Sequence, residues 1–229
     1  MDIVLIAGMW LDATAWDEVV PELERLGHRP RALTLPGQGD GDTAATYDDQ
    51  VAAIMSAVDA TDGPALVVGH SAACALAWVA ADARPEKVAR VALVGGMPNN
   101  DGEAYFGFFA PVDGVVPFPG WEPFEGPDSD DMSADLKASV AAGAIAVPAA
   151  ITHGTVHLTD ERRYDVPVTM ICPEFTPAQA KEWIDGGDIP ELAKAAHVDF
   201  ADIDSGHWPM FTQPAALAAL IDETARRQP

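Results

Sequence analysis

The sequence LVVGHSAAC, residues 66–74, decides the fold of this chain. An apolar, β-branched run leading into Gly69 predicts a buried strand, and the alanine-rich residues 72–83 predict a helix directly after it. A strand that turns this sharply into a helix holds Ser71 in strained backbone geometry and lifts its hydroxyl clear of the sheet. Gly69 and Ala73 are small, as the close approach of strand and helix requires. The alternative is that Ser71 only caps the helix.

Strands and helices alternate on both sides of this segment. The strands are continuous apolar runs, which are typical of parallel strands buried on both faces. We predict strands at residues 3–7, 31–35, 65–68, 88–94, 166–172 and 198–203. We predict helices at residues 17–26, 47–58, 72–83 and 214–226. The alternation indicates an α/β fold in one domain over residues 1–229, with a mostly parallel, doubly wound sheet of about six strands flanked by helices.

One region breaks the alternation. Residues from about 98 to 165 are rich in Pro, Gly, Phe and Asp, show no clear strand and contain five of the eight phenylalanines. A long aromatic insertion in an otherwise compact α/β pattern is typical of a cap or lid. We expect Phe108, Phe109 and Trp121 to form an apolar roof over a substrate pocket. The alternative is a satellite core beneath the loop.

Net charge is the unusual feature of the composition. The 229 residues include 36 acidic and 13 basic side chains, for a formal net charge of −23 at pH 7. Such a surface repels phosphate backbones and anionic membranes, so neither nucleic acids nor membranes are expected as partners. Cys74 and Cys172 lie in apolar segments and are expected to be buried free thiols. The first residues are typical of a strand rather than a signal peptide, so a cytoplasmic location is expected.

A second motif, DIDSGHWPMFTQP at residues 202–214, follows the last predicted strand. His207 stands in its loop, before the final helix. A general base that takes the proton of a serine hydroxyl must reach it from a loop at the carboxyl edge of the sheet. A lone histidine in such a loop is more often a packing residue. The serine segment far upstream favours the catalytic interpretation, with Ser71 as nucleophile and His207 as its base.

In this order of elements the chain resembles the α/β-hydrolase superfamily along nearly its whole length. The opening VLIAGMWLDATAW at residues 4–16 is similar to the VLVHG-x-W opening of that superfamily, with Ala7-Gly8 where most members have His-Gly. Within the superfamily the match is closest to small serine esterases of the plant methylesterase and hydroxynitrile-lyase type. Residues 8–28 and the string VTMICPEFTPAQ at residues 168–179 carry this narrower resemblance.

The resemblance implies an oxyanion hole and a substrate pocket. The hole would consist of the backbone N–H groups of Met9 and Ala72, and the helix that starts at Ala72 would add its positive end. Met9 and Trp10 would also form the floor of the pocket, unless they are plain core residues. His70 and Trp208 would lie in the pocket wall.

The third member of a catalytic triad is the gap in the resemblance. Family members usually carry an aspartate shortly after the strand that here ends near Cys172, but Phe175 or Thr176 occupies that position. Glu174 lies one or two residues early and is the favoured candidate. Asp101, after the preceding strand, is the alternative, and a site without any such acid is the third.

These observations predict a serine hydrolase that cleaves an ester, thioester or lactone of a small to medium apolar substrate through an acyl-enzyme on Ser71. No cofactor is expected. His153 and His157 have the i, i+4 spacing of some metal ligands, but no cysteine or carboxylate accompanies them within the same turn, so no metal is expected. Two other classes stay open: a non-hydrolytic lyase or cyclase of a natural-product pathway, and a degenerate member that only binds a ligand. A small-molecule substrate is the expected partner, and both monomer and homodimer stay open.

Overall fold

The computed structural model describes residues 1–227 and is built around a six-stranded sheet. The strands are β1 (Asp2–Ile6), β2 (Arg29–Leu33), β3 (Ala65–His70), β4 (Val88–Val94), β5 (Val115–Val116), β6 (Val147–Pro148), β7 (Val168–Cys172) and β8 (Val198–Asp202). The α-helices are α1 (Val20–Arg25), α2 (Tyr47–Asp59), α3 (Ala73–Ala83), α4 (Ala134–Gly143), α5 (Ala149–Thr152), α6 (Pro177–Gly186), α7 (Pro190–Ala193), α8 (Pro209–Thr212) and α9 (Pro214–Arg226). Short 3-10 helices cover Ala13–Trp16, Glu122–Phe124 and Glu161–Asp165. Since α2 and α9, the longest helices, have 13 residues each, no helix within residues 1–227 has the length and apolar character needed to cross a membrane.

Neighbouring strands of the main sheet are all parallel, in the order β2-β1-β3-β4-β7-β8. The chain moves outward from β1 to β2 and then returns past β1 to build the other half of the sheet from β3 onward. The direction of winding therefore reverses between β1 and β3, and ligands of open α/β sheets bind in the crevice at such a reversal. The doubly wound α/β sheet of about six strands expected from the sequence is confirmed.

Helices cover both faces of the sheet because each central strand points apolar side chains in both directions. In β1, Ile3 and Leu5 pack with α1 and α9 on one face, whereas Val4 and Ile6 pack with α2 and α3 on the other. All four side chains are buried. Successive residues of a strand point to opposite faces, so a strand covered on both sides needs a run without polar residues.

Several element boundaries differ by one to three residues from those that the sequence predicts, and β2 and α1 are two examples. β2 begins two residues earlier than expected, because its register places Arg29 opposite Asp2 at the start of β1. α1 begins at Val20 instead of residue 17, because a 3-10 helix at Ala13–Trp16 comes before it. Pairing and packing with neighbouring elements, rather than local composition, set these ends.

The region between β4 and β7 contains more regular structure than the sequence predicts. The expectation of no strand there is wrong, since β5 and β6 form a short antiparallel pair with Val116 opposite Val147. The helices α4 and α5 and two of the 3-10 helices also lie in this region. Each of the two strands has only two residues, so the alternation that reveals a strand has no room to develop. Residues 98–165 are called the cap segment from here on.

A buried ion network ties the end of the cap segment to α3 and α7. Arg163 is 5% exposed, and it donates from Nε to Glu191 (2.8 Å) and from Nη1 to Asp82 (3.1 Å). The indole N–H of Trp78 also donates to Glu191 (2.9 Å). Burial alone would raise the pKa of Glu191, but the hydrogen bonds from Arg163 and Trp78 hold that pKa below its usual value. Glu191 is therefore ionised and compensates the buried charge of Arg163.

Replacement of Glu191 by glutamine should remove this compensation while preserving the shape of the side chain. We expect Glu191→Gln to lower the free energy of unfolding by about 3 kcal/mol, because breaking a buried ion pair leaves an uncompensated charge. Urea unfolding followed by circular dichroism measures the change. Asp185→Asn is the matched control, since Asp185 and its partner Lys181 (2.7 Å) are both exposed and such pairs contribute little. A loss no larger than that of the control would contradict the role assigned to Glu191.

Candidate active site

Ser71 lies between the end of β3 and the start of α3, in the left-handed region of backbone conformation with a φ of 54°. Residues with a side chain rarely adopt this conformation, and surrounding packing must hold them in it. A Cβ on Gly69 would lie 2.3 Å from the carbonyl oxygen of Ala73, so only glycine fits there. Ala73 is itself completely buried. The turn expected from the sequence is present, and it places Ser71 at the carboxyl edge of the sheet.

Two hydrogen bonds connect Ser71, His207 and Glu174 in a chain. The Ser71 hydroxyl lies 2.9 Å from Nε2 of His207, and Nδ1 of His207 lies 2.7 Å from Oε1 of Glu174. An ionised carboxylate only accepts hydrogen bonds, so Nδ1 carries the proton and donates to Glu174, and Nε2 accepts from Ser71. The side chains of His207 and Glu174 are 14% and 15% exposed. In this geometry a histidine can take the proton of the serine hydroxyl.

Glu174 reaches His207 from the loop that follows β7. Gly95, next to the end of β4, makes room for the contact: a Cβ there would lie 3.3 Å from Nδ1 of His207 and 3.4 Å from Oε2 of Glu174. Asp101, the alternative carboxylate, accepts instead from the backbone N–H of Leu158 (2.9 Å) and fastens two parts of the cap segment together. Of the two candidate acids, the structure brings Glu174 to the histidine.

The turn after β1 packs directly on the serine. A Cβ on Gly8 would lie 2.9 Å from both the carbonyl oxygen of His70 and Cβ of Ser71. Met9, the next residue, lines the same cavity as Ala72, which caps the start of α3. The first N–H groups of a helix have no acceptor within the helix, and they carry its positive end. The two residues predicted for an oxyanion hole therefore line the same cavity as Ser71.

Gln38 fixes this turn, a role for which the sequence offers no signal. The side chain is 1% exposed, and its Nε2 donates to the carbonyl oxygens of Gly8 (3.0 Å) and Leu11 (2.9 Å). Gln50 in turn donates to Oε1 of Gln38 (2.9 Å). The two glutamines hold both ends of the turn that carries Met9.

His70 is buried and braces the loop of the catalytic candidate His207. Nε2 of His70 donates to the carbonyl oxygen of His207 (2.8 Å). Burial lowers the pKa of His70 to about 3, and the nearby His207 ring adds to this effect. The His70 ring is therefore neutral near pH 7, with its proton on Nε2.

A cavity of about 560 Å³ opens above Ser71. Its lining comes from the loops at the carboxyl ends of the strands and from the cap segment. The aromatic and apolar part of the lining consists of Met9, Trp10, Met97, Pro98, Tyr105, Phe106, Phe108, Phe109, Pro123, Phe124, Phe175 and Trp208. A cavity of this size and character suits a small to medium ligand with few polar groups.

Five of the six residues predicted for the pocket wall line this cavity: Trp10, His70, Phe108, Phe109 and Trp208. Phe108 stands at the mouth and is 83% exposed. Trp121 lies behind the wall instead of in it. Its ring packs against Phe118 and Trp208 at centroid distances of 5.2 and 5.1 Å, and its indole N–H donates to the carbonyl oxygen of Lys137 (3.0 Å). These contacts turn Trp121 toward α4 and away from the cavity.

Trp10 joins the turn after β1 to the cap segment. Its backbone is left-handed, with a φ of 66°, and its indole N–H donates to the carbonyl oxygen of Val116 in β5 (3.2 Å). Its ring makes edge-to-face contacts, at centroid distances of 5.5–6.0 Å, with Phe106, Phe109, Phe118 and Phe124. The aromatic residues of the cap segment therefore rest on a residue that directly follows Met9.

Within residues 1–227, no group of three or more His, Cys, Asp or Glu side chains is placed to hold a metal ion. α5 ends at Thr152, so His153 and His157 do not share a helix. Cys74 and Cys172 are both buried as free thiols.

Comparison with protein families identifies the class of this protein. A model described as "Alpha/beta hydrolase family" matches residues 3–220. The chain therefore belongs to the α/β-hydrolase family, as expected from the sequence. Comparison with curated protein sequences gives no match.

Solved structures of esterases and other hydrolases share the fold. An extracellular α/β-hydrolase from a Paenibacillus species, described as a homologue of tobacco salicylic acid binding protein 2, has a TM-score of 0.80 and 19% identity over 99% of this chain and 100% of its own. A methylesterase from Arabidopsis has a TM-score of 0.75 and 15% identity over 98% of each chain. A pyrethroid hydrolase from Sphingobium faniae has a TM-score of 0.72 and 21% identity over 98% of this chain and 97% of its own. At these identities the likeness establishes a common fold.

The neutral, buried His70 should make the protein less stable as the pH falls. The unfolded chain takes up a proton at this residue below about pH 6.5, but the folded chain does so only near pH 3, so its contribution is complete above pH 6.5 and lost below it. Between pH 7 and pH 5 we expect the wild type to lose about 2 kcal/mol more unfolding free energy than His70→Gln, whose amide can still donate to His207. Urea titrations at both pH values measure the difference. His197, which is exposed, provides the control. If His197→Gln reduced the loss of unfolding free energy between pH 7 and pH 5 as much as His70→Gln does, this interpretation would be contradicted.

Proposed function

We propose that this protein is a serine hydrolase that cleaves an ester, thioester or lactone of a small to medium, largely apolar substrate. The observation that carries the proposal is the hydrogen-bonded chain from Ser71 through His207 to Glu174 beside an aromatic cavity. Membership of the α/β-hydrolase family, and the presence of a methylesterase and a pyrethroid hydrolase among structures of the same fold, support ester hydrolysis in general.

The reaction begins when Oγ of Ser71 attacks the carbonyl carbon and passes its proton to Nε2 of His207. Glu174 accepts from Nδ1, which fixes the productive tautomer and stabilises the imidazolium that forms. As the bond to the leaving group breaks, the proton moves from Nε2 to the departing oxygen or sulfur, and the acyl group stays on Ser71. A water molecule then gives a proton to Nε2 and attacks the acyl carbon. Return of that proton to Oγ releases the carboxylic acid and restores Ser71.

Two backbone amides would stabilise the negative oxygen of each tetrahedral intermediate. These are the N–H groups of Met9 and Ala72, which line the cavity together with Ser71. Donors that are already fixed where charge develops contribute most, because they do not reorganise during the reaction. Gln38 holds the turn of Met9, and the first turn of α3 holds Ala72, so neither amide needs to move.

Removal of the proposed nucleophile should abolish turnover and leave the fold intact. We expect Ser71→Ala to lower kcat for p-nitrophenyl butyrate by at least about a thousandfold, as is typical when a triad member is lost. A fluorophosphonate probe, which reacts with an activated serine, should add its mass to the wild type and to the exposed-site control Ser139→Ala, but not to Ser71→Ala. Activity above about a tenth of wild type in Ser71→Ala would sink the acyl-enzyme mechanism. Ligand binding without labelling of the wild type would indicate a member that only binds.

Loss of the orienting carboxylate should be nearly as damaging. We expect Glu174→Gln to lower kcat by at least about a hundredfold with little effect on unfolding, because a neutral amide does not stabilise the imidazolium. Asp101→Asn is the control and should be nearly silent, since an asparagine can still accept from Leu158. The opposite pattern would move the acid to Asp101, and silence in both variants would leave a dyad of Ser71 and His207.

A further inference from the structure

Asp128 is a carboxylate in the cavity wall that takes no part in the hydrogen-bonded chain at Ser71. Asp128 of the cap segment lines the cavity, and its backbone carbonyl oxygen accepts from the backbone N–H of His207 (2.7 Å). A turn fixes this stretch of chain, since the N–H groups of Ser129 and Asp130 both donate to the carbonyl oxygen of Gly126 (3.0 and 2.9 Å). Asp128 is therefore held beside the proposed general base.

The protein partly shields the carboxylate of Asp128 from water and provides no hydrogen-bond donor to it within the described residues. The residue is half-buried, and within residues 1–227 its side chain accepts no hydrogen bond. Burial raises the pKa of Asp128, and the nearby Glu174 carboxylate acts in the same direction, whereas His207 opposes them. The negative charge of a partly buried carboxylate without a hydrogen-bond donor costs free energy. A ligand with a positive charge would offset that cost.

The rest of the wall favours a cation as well. None of the lining residues within the described chain is a lysine or an arginine. Glu103 adds a second carboxylate at the rim, where its hydrogen-bond donors are the uncharged amides of Asn100. Phe124 and Trp208 line the cavity with their ring centroids 5.3 Å apart, and aromatic faces attract ammonium groups. The net charge of −23 draws cations toward the protein from a distance.

The position of Asp128 indicates which part of the substrate carries the charge. The leaving oxygen of an ester must approach Nε2 of His207, because that atom returns the proton. The alcohol part of the substrate therefore lies on the His207 side of the cavity, which is also the side of Asp128. We infer that the substrate is an ester of an amino alcohol, with its ammonium group bound by Asp128 and the neighbouring aromatic wall. This inference rests on the proposed ester hydrolysis and adds a substrate class to it.

Two esters of the same shape test the inference. The butyrate esters of choline and of 3,3-dimethylbutanol differ by one positive charge, because a trimethylammonium group replaces a tert-butyl group. We expect kcat/KM at low ionic strength to be about tenfold higher for the choline ester, and the preference to shrink as salt is added. In Asp128→Asn the ratio of the two kcat/KM values should fall to near one. The matched control is Asp130→Asn, which removes the same charge from an exposed position two residues away and should keep the wild-type ratio.

A ratio near one in the wild type, or an equal fall of the ratio in both variants, would overturn the inference. Binding measured without turnover separates it from the proposed hydrolysis. Calorimetry on Ser71→Ala should show choline binding more tightly than 3,3-dimethylbutanol, and this difference should vanish when Asp128→Asn is added. If choline binds in this way but neither ester is cleaved, the cation site stands and the hydrolysis fails. If both esters are cleaved equally and choline does not bind, the hydrolysis stands and the cation site fails.

Discussion

Three glycines and one strained serine meet where β1, β3 and β4 end, and the contact leaves no space for another carbon atom. A Cβ on Gly8, Gly69 or Gly96 would come within 2.9, 2.3 or 2.4 Å of a neighbouring atom. Left-handed backbone at a residue with a side chain costs about 1–3 kcal/mol, and it persists only where the surroundings fix it. At Ser71 the sheet provides this support, since the backbone N–H donates to the carbonyl oxygen of Val94 (2.8 Å). Because parallel strands end at a common edge, this one packing contact also aligns the turn after β1 and the loops that carry Glu174 and His207.

The turn after β1 contributes to the cavity lining and also supports the aromatic residues of the cap segment. Met9 lines the cavity at Ser71, and Trp10, one residue later, packs against phenylalanines of the cap segment. Gln38 holds both ends of this turn from beneath. The shape of the cavity and the position of the proposed oxyanion donor therefore depend on the same few residues. A change in the packing of the cap-segment phenylalanines would therefore also move Met9. Loss of the Gln38 hydrogen bonds would in turn move those phenylalanines.

Local patterns explain how far the sequence could predict this structure. The strand, serine and helix of residues 66–74 and the placement of His207 follow from short-range rules, and the structure brings the two residues to 2.9 Å. Glu174 is harder to predict, because its contact with Nδ1 of His207 (2.7 Å) depends on how the fold brings two loops together. The prediction that Trp121 lines the pocket is wrong, because the orientation of its ring depends on Trp208, which is distant in sequence.

Other features of the structure cannot be predicted from local patterns in a single sequence. Gln38 sits in a Pro-Gly turn whose composition is compatible with many surface loops, and its importance comes from the carbonyl groups that the fold brings to it. Asp128 is one acid among 36. The ion network of Arg163 joins groups 28 and 81 residues away along the chain, and hydrophobic periodicity does not report such pairs.

Two hydrogen bonds connect the cap segment to the loop of His207 and restrict how this side of the cavity can open. Asp128 accepts from the backbone of His207, and Asp131 accepts from the N–H of Gly206 (2.9 Å), so this end of the cap cannot swing outward without dragging the imidazole away from Ser71. The ring of Phe108 also lines the cavity, but it is 83% exposed and packs on Phe106 at a centroid distance of 5.3 Å. An exposed side chain changes rotamer in picoseconds to nanoseconds, far faster than a whole segment opens. Phe108 can therefore change the width of the cavity mouth by rotating its side chain while the imidazole of His207 stays in contact with Ser71.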